Sequence, residues 1–145
     1  MVNEFYSGIG KRIEELFTEE ERMTPVYFDE LPQGFTAPCF FIKLLNTSLD
    51  LKLWNRYEFV TDFDVVYYPL KTPESDSDEL NSVGYRLMLG MEYIEARGGY
   101  FRGTGLRYTV NDGVLHFFVS YHCFILKNGE NSSLMMKLLQ KYGLK

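Results

Sequence analysis

Few residues of this sequence are of a type that could do chemistry. Asp62 and Asp64 are two apart, which on a strand places both carboxylates on one face. Such a pair can hold a cation or share a proton. The expected role here is plainer: a solvated strand edge, or pairing with nearby basic groups. His116 and His122 are the only histidines, on one strand face but too far apart to be direct neighbours. Neither has a Ser or Cys partner in a strand-to-helix turn, so a structural role is expected over general-base or metal-ligand work. Cys39 and Cys123 each sit alone in an apolar run, without a CxxC pair or Cys/His cluster, and read as buried, reduced thiols. A disulfide between them requires neighbouring strands with the right geometry. Gly98, Gly99, Gly103 and Gly105 match neither the GxxxxGK[ST] nor the GxGxxG pattern. Arg97, Arg102 and Arg107 could meet a phosphate, although ion pairing within the protein or across subunits is the expected use. The expectation is therefore no catalytic, cofactor-binding or metal-ligating residue.

The bulk composition points the same way. A chain of 145 residues fits one domain, expected over 1–145, with a real hydrophobic core. Its formal net charge of -5 lacks the clustered basic footprint of a nucleic-acid binder and suits an anionic membrane poorly. Glu4, Glu14 and Glu15 interrupt any signal-peptide core, and no apolar run is long enough to span a bilayer. A reducing cytoplasm is the expected compartment.

The elements that position these residues follow from periodicity. Phe5, Ile9, Ile13, Leu16 and Phe17 make one face of an opening helix, which Gly8 and Gly10 weaken by about 1 kcal/mol each. The acidic run Glu19 to Glu21 is expected as a solvated exit. Val26 to Phe28 is a short extended run, and Cys39 to Leu45 is apolar on both faces, as in a central strand. Asn46, Thr47 and Ser48 are expected to open a polar turn. Alternation from about Trp54 to Tyr68 predicts a long strand ended by Pro69. Ser75 or Ser77 then caps a second helix carrying Leu80, Val83, Leu87, Met91 and Ile94, which Gly98-Gly99 stops. Asn111-Asp112-Gly113 predicts a hairpin between Leu106–Val110 and Val114–Leu126. A short C-terminal helix is expected over about Ser133 to Tyr142. The fold class is α+β: a mainly antiparallel sheet with two longer helices packed on one face and a short C-terminal helix.

Two surfaces are left needing cover. On the last strand, Leu115, Phe117, Val119, Tyr121, Cys123 and Ile125 face the core, while the opposite set, from Val114 to Leu126, is still about half apolar. The short C-terminal helix and loops of the same chain could cover it, or another subunit could cover part of it. Leu49, Leu51, Leu53 and Trp54 lie close to a predicted turn, where a hairpin tip exposes them; they are the candidate subunit or tube interface, with folding back onto the chain's own core as the alternative.

Three stretches together carry a family resemblance: QGFTAPCFFIKLL from Gln33 to Leu45, NRYEFVTDFDVVYYP from Asn55 to Pro69, and DGVLHFFVSYHCFI from Asp112 to Ile125. With the opening helix and its GKRIEELF, the chain resembles the tail terminator, or tail completion, proteins of long-tailed Gram-positive phages and prophages. The resemblance implies a structural virion protein, not an enzyme. It implies a hexameric ring of copies of itself that caps the head-proximal end of the tail tube and stops its polymerisation. The implied partners are the tail tube protein and the head–tail connector, with DNA passing through the lumen without specific binding. It implies a place in the virion tail after assembly in the host cytoplasm, and no cofactor. Two other readings remain: another neck or head-completion protein, and a small ligand-binding domain or hydrolase using His116 or His122.

Overall fold

The structure, a computed structural model, describes residues 2–17, 24–70 and 77–127. Helix α1 runs from Val2 to Leu16 and is followed by strands β1 (Val26–Phe28), β2 (Cys39–Leu53) and β3 (Arg56–Tyr68). Helix α2 spans Ser77–Gly90, and β4 (Tyr93–Ala96), β5 (Gly99–Asn111) and β6 (Val114–Leu126) complete the described chain. The strands form one sheet in the order β1-β2-β3-β6-β5-β4, with β1 parallel to β2 and every other pair antiparallel.

The core lies between this sheet and the two helices. Helix α1 buries Phe5, Tyr6, Ile9 and Ile13. Helix α2 adds Leu80, Val83 and Leu87, and the inward residues of β3 and β6 are Phe63, Val65 and Tyr67 with Leu115, Phe117, Val119 and Tyr121. Phe5 meets Phe101 edge-on at 4.8 Å between ring centroids, and Tyr6 meets Phe63 at 5.3 Å. The glycines of α1, which weaken it as an isolated helix, have a packing reason. A β carbon on Gly8 would lie 2.6 Å from the Glu95 carbonyl oxygen, so glycine lets the helix approach β4.

The expected architecture is corrected in its balance of elements. Strand dominates, six strands curl into a half-barrel, and two helices are the only ones among the described residues. The short C-terminal helix expected over about Ser133 to Tyr142 falls outside those residues, as do Ser75 and the acidic run Glu19 to Glu21. Helix α2 ends at Gly90, not at Gly98-Gly99. Met91 and Ile94 extend its apolar spacing, but Ile94 and Ala96 alternate with exposed Tyr93 and Glu95, which is the two-residue period of a strand. Arg97 and Gly98, both at positive φ, form the two-residue turn from β4 to β5. The turn expected at Asn46–Ser48 is also corrected: β2 continues through it to Leu53, with a register shift between Leu44 and Asn46. The hairpin at Asp112–Gly113 stands as read, with both residues at positive φ.

Candidate functional site

Because β2 runs on, β2 and β3 make a long arm that turns at Trp54–Asn55. Leu49 stands opposite Phe59, which stands opposite Cys123; Leu51, Tyr57 and Ile125 form the next row. Residues directly opposite share a sheet face. Phe59 and Ile125 pack against the core, so these rows continue the core face outward. Leu49, Leu51 and Leu53 are nevertheless 48–59% exposed. The outer edge of β2 is open as well. Strand β1 covers only Phe40 to Ile42, and the Leu44 N–H donates to the Tyr6 hydroxyl at 3.1 Å. From Lys43 to Leu53 no strand pairs that edge among the described residues. A long open edge is a template for pairing with another chain.

Trp54 is the sharpest feature of the arm. It is 87% exposed and sits at φ 53°, in the left-handed region. A non-glycine residue there costs about 1–2 kcal/mol. Its indole gains little burial from its own chain in return. A charged rim surrounds the tip. Arg56 lies over the Phe124 ring at 4.2 Å, Lys127 over Tyr57 at 5.3 Å, and Lys52 is 3.6 Å from Glu58.

The residues that might have done chemistry are tied up in structure on the other sheet face. The β3–β6 register sets Asp64, Asp62 and Glu58 beside His116, Ser120 and His122. The His116 Nδ1 lies 2.9 Å from Asp64 Oδ2, the Ser120 hydroxyl donates to Asp62 Oδ1, and the His122 Nδ1 lies 3.1 Å from Glu58 Oε2. Asp64, Asp62 and Glu58 thus form a cross-strand ladder with His116, Ser120 and His122, a pairing that sequence alone could not assign because it depends on register. Asp64 is only 7% exposed, and its Oδ1 has no hydrogen-bond partner among the described residues. A cleft of about 370 Å³ lies between Phe17, Phe40, Tyr67 and Arg86, and neither histidine lines it. Among the described residues, no three His, Cys, Asp or Glu side chains gather as a metal site.

The arginines have protein partners too. Arg97 is 3.6 Å from Glu4, Arg102 is 3.3 Å from Glu92, and Arg107 lies over the Phe118 ring at 4.7 Å. Cys39 and Cys123 are free and buried, and burial pushes the Cys123 thiol up to about 11.

A half-barrel sheet with an exposed apolar arm and cross-paired polar residues defines a protein built around surfaces. The family model for phage tail terminator proteins matches residues 4–133, and the chain belongs to that family. It is therefore a structural component of the phage tail, a role that implies contact with other tail and head components. No curated protein matches the sequence. One solved structure aligns over 89% of this chain and 97% of its own at 15% identity, with a TM-score of 0.40, too distant to bear on function.

Proposed function

We propose that this protein caps the head-proximal end of the tail tube, stops tube polymerisation and presents the docking surface for the head connector. It does so as a closed, hexameric ring of copies of itself, without catalysis and with DNA passing through the lumen. The arm from β2 to β3 is the docking element, and Leu49, Leu51, Leu53 and Trp54 are its contact residues. The observation that carries this reading is Trp54. An exposed tryptophan in a left-handed turn burdens the monomer, and large aromatic residues anchor interfaces. A contact between two different patches of one chain closes into a ring if its rotation closes, which turns an open polymer into an end.

Deleting the gene tests the reading by electron microscopy of the particles. The expected result is overlong or unjoined tails beside filled heads. Tails of normal length beside leaky, empty heads would favour a head-completion role instead.

A further inference from the structure

The sheet has two edges, and each is stepped. Strand β1 covers β2 only from Phe40 to Ile42, so that edge is open up to Leu53 among the described residues. At the other end of the sheet, β4 covers β5 only from Gly99 to Arg102. No described strand pairs the outer edge of β5 from Gly105 to Asn111. Strands β2 and β5 run in opposite directions, since three antiparallel pairings separate them. A second copy set beside the first, with its sheet facing the same way, therefore brings the two open edges together as an antiparallel pair.

One register fits both steps. With Leu49 opposite Tyr108, Leu53 reaches the level of Thr104, short of Arg102, where the cover by β4 begins. Asn46 reaches Asn111, where β5 ends, short of Ile42 and the cover by β1. The faces agree as well. Leu49 and Leu51 continue the core face of the arm, and Tyr108 and Leu106 pack against the core of their own chain. On the other face this register sets Asp50 opposite Arg107. Asp50 stands beside Glu58 in its own chain, a like-charged pair that a cation would relieve. Arg107 donates to its own Gly105 carbonyl at 3.2 Å and forms no ion pair among the described residues. The Tyr108 hydroxyl donates to Asn81 Oδ1 on α2, and Tyr85, one turn on, is exposed on that flank, where incoming leucines need apolar cover. The step also offsets successive copies along the strand direction, which is the stagger a closed sheet requires.

We propose that the outer edge of β5 is the surface of a second copy that receives the arm: Asn46 to Leu51 pairs with Leu106 to Asn111 of the next copy, Asp50 against Arg107. The inference rests on the arm being the docking element, and it commits that arm to the neighbouring copy.

Cysteine pairs in the full chain, mixed with tube ends and oxidised, test the register. Thr47→Cys and Val110→Cys put two exposed positions directly opposite across the joint, while native Cys39 and Cys123 are buried. Within one chain these positions are three strand spacings apart, at least about 14 Å, too far for a disulfide. The expected result for the double variant is a ladder of linked copies ending in a closed ring. Each single variant should stay monomeric, and the two singles mixed should give dimers only. Dimers from Thr47→Cys alone would mean that two β2 edges pair with each other. Folded double variant that assembles without cross-links would mean that another surface meets the arm. Either result overturns the proposal. Asp50→Arg and Arg107→Asp should each raise the protein concentration needed for assembly by about tenfold, and the double exchange should restore it to within about threefold. A double exchange no better than the singles also overturns it. If Leu51→Asp abolishes tube binding while no cross-link forms, the arm docks on the tube itself, and the capping role stands without this joint.

Discussion

The α carbon of Gly8 lies against the backbone of Glu95, so closely that a β carbon there would sit 2.6 Å from the carbonyl oxygen. Helix propensity alone says Gly8→Ala should stabilise α1 by about 1 kcal/mol. The packing says the opposite, because the helix would have to move off β4. Gly8→Ala is expected to destabilise the protein by about 1–3 kcal/mol, the usual cost of overpacking, as read by urea unfolding. Stabilisation would show that α1 does not seat on β4 in this way.

His116 protects a buried carboxylate. With Oδ1 of Asp64 unpartnered among the described residues, His116→Ala removes the bond to Oδ2 as well. The expected cost is about 1–3 kcal/mol. His122→Ala should cost less, since Glu58 keeps Lys52 as a partner and is more exposed. Equal losses in thermal unfolding of the two variants would contradict the ladder's ranking. If both histidines are structural, the double variant still supports tail joining once folded.

High pH should unfold the protein through its buried neutral acids. Burial pushes the Tyr6 phenol up to about 12, with its hydrogen bond to Asp29 adding to the effect, and pushes Cys123 up to about 11. Burial also raises Cys39 and Tyr121. The unfolded chain ionises these groups first, near about 8.5 for Cys and about 10 for Tyr. Their contribution is therefore full below about pH 8.5 and is lost as pH rises towards 11–12. Stability measured from pH 8 to 11 should fall steadily, and a flat profile would count against their burial.

Trp54 offers a test in which stability and assembly part company. Trp54→Gly removes left-handed strain of about 1–2 kcal/mol and little burial. The isolated protein should be equally or more stable in urea, while tail joining in complementation falls. A large loss of stability would mean that the indole packs on its own chain.

Much of this fold could be read from alternation. The outward and inward sets of β6 and the Asp112–Gly113 turn follow directly from the sequence, because β6 is paired on both sides and one of its faces is buried. The arm could not be read whole. Beyond Leu44 the second half of β2 is an exposed edge, so Asn46, Thr47, Ser48 and Asp50 carry the polarity of a turn while the backbone stays extended. The bulge at Leu45 also breaks the alternation that would have revealed it. The end of α2 was hidden for a related reason: Met91 and Ile94 fit a helical stripe although Ile94 is buried from a strand. The apolar tip residues were visible as a group, but their rows with Phe59, Tyr57 and Ile125 needed the register.

The arm as docking element is tested most directly by Leu51→Asp. Leu51 is more than half exposed, so the folded monomer should lose less than about 1 kcal/mol. The decisive measurement is light scattering of native and variant protein, each mixed with tube ends. The native chain is expected to form a complex of ring size on the tube, and the folded variant to remain unbound. A folded variant that still assembles on the tube as the native chain does would contradict the account.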